Sequence, residues 1–226
     1  MKSCIITGAG SGLGKELAFM YAAKGWFVYL IGRTTKKLEE TKNEIMNRGG
    51  KAESVVCDLR NLNDIKQAVS GILEKDQQVE LVVNNAGIGH FGPFLDMTEQ
   101  QLINTFSTNV YATIFVTKTV LPLFIRNNKG MFINVISTAG LRGKVNESVY
   151  ASSKFAVRGF TESLQKEYAE SDIRFVAAYM GGMNTPFWED SNHIIDPNHL
   201  RSAKEVAELI IEQSAHSDNI ILESKK

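Results

Sequence analysis

The sequence predicts an α/β fold: a doubly wound parallel sheet with helices on both faces, built as a single domain over 1–226. Three observations carry this. Short continuous apolar runs alternate with helical patterns along the chain, as strands covered on both faces require. A glycine-rich turn joins the first apolar run to the first helix. The run Met131-Phe132-Ile133-Asn134-Val135-Ile136 then delivers Ser137 at its carboxyl end, where open α/β sheets gather their ligands. With 226 residues, 43% hydrophobic positions and a formal net charge of zero, the chain can bury a sizeable core and lacks the basic excess that nucleic acid demands. No apolar stretch reads as long enough for a signal peptide or membrane span, so no membrane partner and a cytoplasmic location are expected. Cys4 and Cys57 each lie in an apolar run and read as buried, reduced thiols.

The first unit is the most informative. Strand-like Ser3-Cys4-Ile5-Ile6-Thr7 runs into Gly8-Ala9-Gly10-Ser11-Gly12-Leu13-Gly14, and Leu13, Leu17 and Tyr21 then recur every four residues until Gly25. Such a turn lets backbone N–H groups approach a pyrophosphate at a helix amino terminus. Leu13 stands where the common G-x-G-x-x-G would have its last glycine, so the spacing reads T-G-x-x-x-G-x-G. The second strand, Phe27 to Gly32, ends without the acid that would meet an NAD ribose, and Arg33 follows. A guanidinium there can fork a 2′-phosphate, which favours NADP(H) and leaves NAD(H) possible. Otherwise Arg33, Lys36 and Lys37 are a solvated helix start.

Leu38, Thr41 and Ile45 mark the second helix, closed by Gly49-Gly50, and Ala52 to Cys57 is the third strand. Asp58, before Leu59, could accept from an adenine amino group or cap a turn. A helix from Ile65 to Leu73 is capped by Asn61 or Asn63. The fourth strand, Leu81-Val82-Val83, leads to Asn84-Asn85-Ala86-Gly87, where amides can tie strands and glycine leaves room for a cofactor ring. A long helical pattern spans Thr98 to Ile125. Asn109 interrupts its apolar face, either bending the helix or serving a proton path.

Tyr150 and Lys154, four residues apart in a helical segment, share one face and form a candidate acid/base pair, since a nearby ammonium favours the phenolate. Thr7-Gly8-x-x-x-Gly12-x-Gly14, Asp58-Leu59, Asn84-Asn85-Ala86-Gly87, Asn109, Ser137 and Tyr150-x-x-x-Lys154, in this order, resemble the short-chain dehydrogenase/reductase family in its single-domain form. The resemblance implies a Rossmann sheet of about seven strands and reversible hydride transfer between a nicotinamide and a small-molecule carbonyl or alcohol. It implies Tyr150 as general acid/base, Ser137 on the reacting oxygen, and Lys154 on the nicotinamide ribose while tuning Tyr150. Asn109 would hold a water linking Lys154 to solvent. Cofactor contacts are implied for Thr7, Gly8, Ser11, Gly12, Leu13 and Gly14 in the first turn, and for Asp58, Leu59, Asn85, Ala86 and Gly87 at later strand ends. Tyr150, Lys154, Gly181 and Thr185 complete them. Pairing of the Thr98–Ile125 and Tyr150 helices across a two-fold axis would give a homodimer or homotetramer.

Two departures matter. After Phe175 to Tyr179 the family has Pro-Gly, whereas this chain has Met180-Gly181-Gly182, so the turn beside the nicotinamide is expected to be freer. The carboxyl end is short: a helix opened by Ser202-Ala203-Lys204-Glu205, then a strand from Asn219 to Leu222. That leaves the segment at about 187–200 to cover the substrate alone. His90, Phe91, Leu141, Arg142, Met183, Phe187 and Trp188 are expected around the substrate, a set suited to small or hydrophobic compounds. His90 could be an ordinary loop residue, and Arg142 could pair a substrate carboxylate or face water. None of the four His has companions at metal-ligand spacing, so no metal is expected. The alternative function is a sensor or scaffold that binds NADP without turnover.

Overall fold

The computed structural model describes residues 1–189, 191, 193, 194 and 196–224. Positions 190, 192 and 195, inside the expected substrate segment, lie outside the described residues. Among the described residues the core is a seven-stranded, all-parallel sheet in the order β3-β2-β1-β4-β5-β6-β9. Its strands are β1 (Ser3–Thr7), β2 (Phe27–Gly32), β3 (Lys51–Val56), β4 (Val79–Asn84), β5 (Gly130–Val135), β6 (Ile173–Met180) and β9 (Asn219–Leu222). The chain winds from β1 outward to β3, then returns to β1's other side with β4. The carboxyl ends of β1 and β4 therefore flank the crevice where strand order reverses.

The continuous apolar runs exist because each strand feeds two layers. Cys4 and Ile6 of β1 pack with α1 (Gly12–Ala23), α2 (Thr35–Asn47) and α7 (Ala203–Ser214). Ile5, between them, packs on the opposite face with α3 (Leu62–Lys75) and α5 (Ala112–Asn127). The expected stops hold: Gly25 and Gly49 follow α1 and α2 at φ +81° and +80°. Asn61 is the cap of α3, its Oδ1 accepting from the Asn63 N–H at 2.9 Å.

The long pattern from Thr98 is not one regular helix. Thr98 and Gln101 form a capping box for α4 (Glu99–Phe106), a π-helical turn spans Ser107–Tyr111, and α5 follows. A widened turn shifts the helix face, which a fixed periodicity cannot anticipate. The continuous run Glu99–Asn127 is, by length and composition, apolar enough to cross a membrane. This corrects the expectation that no stretch is. In the fold, Val116, Val120, Leu123 and Phe124 of this run are buried in the core beneath the sheet. Two further strands were not anticipated, because two-residue strands leave no periodicity. β7 (Met183–Asn184) and β8 (Arg201–Ser202) pair in parallel and bring together the two ends of the segment between them.

A buried polar chain crosses the middle of the molecule. Asn84 Nδ2 donates to Asn134 Oδ1 at 2.8 Å and to Thr117 Oγ1 at 3.2 Å, and Asn134 Nδ2 donates to Thr161 Oγ1 at 2.9 Å. It ties α5, β4 and β5 to α6 (Ser148–Glu167), the helix that bears Tyr150. Removing one member strands its buried neighbours, at about 1–3 kcal/mol for an unsatisfied group. Asn134→Leu, close in volume, should therefore lower stability by about 2–3 kcal/mol, seen as a lower urea midpoint at unchanged slope.

Candidate active site

The carboxyl ends of β1 and β4 are stitched through one threonine. Thr7 Oγ1 accepts from the Asn85 and Ala86 N–H groups, each at 3.0 Å, and Asn85 Nδ2 donates to Thr7 O at 2.9 Å. Two of the glycines follow from this stitch. Gly8 turns away at φ +67°, where an added Cβ would lie 2.9 Å from Asn85 Nδ2. A Cβ on Gly14 would overlap Gly8 O and Asn85 Nδ2, so glycine alone lets α1 start this close to β1. Gly12, at φ +52°, faces Thr185, whose side chain would meet a Cβ there at 3.4 Å. Ser11 is the N-cap residue of α1 but makes no side-chain cap bond. Leu13 and Leu59 are buried in the core, so only their backbones can face a cofactor.

At the outer end of the crevice Arg33 is exposed beside Gly32. Asp58 accepts from the Arg60 guanidinium at 2.6 Å and from the Arg60 N–H at 3.0 Å, which makes it the turn cap. That pairing, with a smaller contribution from the Arg33 charge, holds the Asp58 carboxyl below the usual carboxylate range. Lys37 lies against the glycine turn, its Cβ 3.0 Å from where a Cβ on Gly10 would stand. Arg60 was missed in the sequence, where a basic residue two positions after Asp58 was the available signal.

At the inner end the four expected catalytic residues come together. Ser137 follows β5, and its Oγ accepts from the Ala139 N–H at 3.1 Å. Tyr150 is 8% exposed. Burial pushes its phenol well above the usual range, the hydrogen bond from Ser137 opposes this, and the Glu147 charge reinforces it. The expected depression of Tyr150 by Lys154 is therefore corrected: desolvation dominates. Lys154 Nζ lies 5.7 Å from the Tyr150 ring centre and donates to Val135 O at 3.1 Å. Asn109, in the π-helical turn, accepts from the Ile88 N–H at 2.9 Å and donates to Ile88 O at 2.9 Å and to Ser153 Oγ at 3.0 Å. It thus fixes the loop after β4 against α6. A Cβ on Gly87 would stand 3.4 Å from Asn109 Oδ1 and 3.6 Å from Lys154 Nζ, so glycine keeps the space before the lysine open.

Aromatic rings wall this centre. Phe91 meets Tyr150 edge-on at 5.3 Å and stacks on His193 at 4.5 Å, while Phe187 lies 5.9 Å from Tyr150. His193 Nε2 lies 2.9 Å from Oε1 of Glu147, a buried carboxylate just before α6. Neither was singled out from the sequence. Glu147 sits three residues before Tyr150, but nothing local says that it faces inward. His90, Phe91, Gln101 and Asn146 line a cavity of about 530 Å³ beside these rings. Trp188 Nε1 donates to Met183 O at 2.9 Å. Two expected wall residues belong elsewhere. Leu141 packs on the cluster around Ile136 and Val157, and Arg142 pairs with Glu223 at 3.1 Å, in place of a substrate carboxylate.

Residues 2–195 match the family model described as short chain dehydrogenase. This chain belongs to the short-chain dehydrogenase/reductase family. It is 29% identical over 191 residues to a sepiapterin reductase of Chlorobaculum tepidum, covering 81% of this chain and 78% of that one. It is 33% identical over 202 residues to the oxidoreductase UcpA of Salmonella typhimurium, covering 89% and 76%. Among solved structures, an actinorhodin polyketide ketoreductase variant with NADPH superposes with a TM-score of 0.87 at 26% identity, covering 97% of this chain and 94% of that one.

In this short-chain dehydrogenase/reductase the buried lysine carries a stability cost. Burial lowers Lys154 from its ordinary 10.5 to about 8. Between those values the unfolded chain holds a proton that the folded chain has released, so stability rises with pH across that window. The cost is full below pH 8 and fades towards 10.5. The shift corresponds to about 3 kcal/mol, of which the bond to Val135 O returns about 1. Lys154→Met should thus raise stability at pH 7 by about 1–2 kcal/mol, with the gain vanishing near pH 10.5, as read by urea unfolding at both pH values.

Proposed function

We propose that this oxidoreductase transfers hydride between NADP(H) and a small or hydrophobic carbonyl or alcohol compound, with NAD(H) the weaker cofactor. The observation that carries the reading is the convergence of Ser137, Tyr150 and Lys154 beside the glycine turn, held there by Asn109 and the Thr7–Asn85 stitch. The residues present fit a dinucleotide. The Gly8–Gly14 turn would present backbone N–H groups to a pyrophosphate at the start of α1, and Gly87 leaves room at the nicotinamide end. A bound nicotinamide supplies or accepts the hydride at the reacting carbon.

The chain's own residues handle the oxygen and its proton. Ser137 holds the carbonyl oxygen, and the Tyr150 hydroxyl donates its proton as negative charge develops there. A phenol pushed up by burial stays protonated at neutral pH, which suits it to the donor role in reduction. Lys154 binds ribose hydroxyls and, when charged, stabilises the phenolate left behind. Phe91, Phe187 and Trp188 keep water from the centre and favour an apolar substrate body. Ile103, Tyr111 and Phe155, each more than 40% exposed on α4, α6 and the turn between α4 and α5, support pairing with a second copy of the chain.

The decisive test is Tyr150→Phe, which keeps the ring and removes the hydroxyl. It should fold and still bind NADPH, while reduction of a ketone and aldehyde panel falls by about 10²–10⁴-fold or more. Parental turnover in a folded variant would move the proton donor elsewhere. NADPH binding by the parent protein without turnover on any carbonyl would place it in the sensor class. Cofactor choice is tested separately. Arg33→Ala should weaken NADP binding by about 1.5–3 kcal/mol while leaving NAD nearly unchanged, measured by calorimetry. Equal affinity of the parent for both cofactors would remove Arg33 from the site.

A further inference from the structure

The turn after β6 poses a physical problem. Met180 stands where the family has proline and ends β6 paired with Leu222, and Gly181 and Gly182, two residues of maximal backbone freedom, follow at the place proposed to meet the nicotinamide. Three contacts from the carboxyl-terminal strand close on it. The Gly181 N–H donates to Leu222 O at 2.7 Å, continuing the β6–β9 ladder by one residue. The Gly182 N–H, beyond the ladder, donates to the side-chain Oγ of Ser224 at 2.8 Å. A Cβ on Gly181 would overlap the Ser224 backbone nitrogen and stand 2.5 Å from its Oγ, so the tail lies flat on the turn. Gly181 does not have positive φ; close approach alone excludes a larger residue there.

The tail is itself held from two sides. Arg201 Nε of β8 donates to Glu223 O at 3.2 Å, and Arg142, in the loop that follows Ser137, pairs with the Glu223 carboxylate at 3.1 Å. Glu223 and Ser224 therefore join the loop after Ser137, the turn after β6 and the base of the substrate segment.

We infer that Ser224 is a positioning residue for the cofactor turn: its hydroxyl fixes the amide of Gly182, the second of the two glycines that follow the end of β6. The inference rests on the proposed nicotinamide site in one respect, that the Gly181–Thr185 turn contacts the cofactor. Its mechanism does not. A neutral hydrogen bond shifts a local opening equilibrium by about 3–10-fold, and a turn that is open part of the time binds its ligand more weakly by the same factor. A residue that merely ended β9 would leave both quantities unmoved.

The test uses the full chain and three proteins: parent, Ser224→Ala and Ser224→Thr. Hydrogen exchange of the peptide spanning Gly181 and Gly182, without cofactor, should quicken by about 3–10-fold in Ser224→Ala and return to the parental rate in Ser224→Thr, which keeps the hydroxyl. NADPH dissociation constants from calorimetry should follow the same order, and KM for NADPH should rise more than kcat falls. Parental exchange at Gly182 in Ser224→Ala overturns the inference, as does unchanged NADPH affinity when the parent binds NADPH. A parent that binds neither NADPH nor NADP while exchange responds as expected overturns the cofactor reading, and with it the cofactor role of Ser224.

Discussion

The hydrogen-bonded stitch between Thr7 and Asn85 is the constraint on which the site depends. A doubly wound sheet opens a crevice where strand order reverses, because the connections from β1 and β4 leave on opposite sides. The ladder between β1 and β4 ends at Ile6 and Val83. Thr7 takes both the Asn85 and Ala86 amides on one oxygen, and Asn85 returns a bond to the Thr7 carbonyl. The crevice floor is thereby fixed, and Gly8 and Gly14 are set by distance to these groups. Gly8 must turn beneath Asn85, and Gly14 must pass close enough that any side chain would strike both.

A second layer of constraint hangs from the same strand ends. Asn84, one residue before Asn85, begins the buried amide chain that reaches α6 through Asn134 and Thr161. Asn109 grips Ile88, just past the same strand end, and reaches α6 again through Ser153. The helix bearing Tyr150 and Lys154 is thus referenced twice to β4, by polar contacts that fail if either partner shifts. Buried amides of this kind are poor sources of net stability but demand one geometry, since a misplaced strand would leave several of them unpaired at once.

How much of this was legible in the sequence depended on the range of each signal. Strand and helix order, the cap at Asn61, the glycine stops and the convergence of Asn109, Ser137, Tyr150 and Lys154 followed from local pattern and from motifs in a recognisable order. The π-helical turn did not, and Asn109 within it pairs with Ile88, 21 residues earlier. Glu147, His193 and Ser224 escaped as well. Each acts through a partner that only the fold brings near, and each is an ordinary polar residue in its own neighbourhood. The turn after β6 lacks the family's proline, and in the fold Met180 at that position pairs with Leu222 while the Gly181 N–H donates to Leu222 O. The hydroxyl that meets the Gly182 amide lies 42 residues away.

The electrostatics of the site run against its own stability. Burial drives Tyr150 and Lys154 each towards its neutral form, the phenol upward and the ammonium downward. A core would not choose this pair; hydrophobic residues of similar volume would fold more securely. The buried lysine lies within hydrogen-bond reach of Val135 O, so its charge is held in place but not neutralised. With Lys154 lowered to about 8, its protonation changes across the range in which an enzyme works. A fixed ion pair would have quenched that response, and a solvated lysine would have placed it far above neutral pH. Burial beside a backbone carbonyl is what lowers this lysine while leaving it a hydrogen-bond partner.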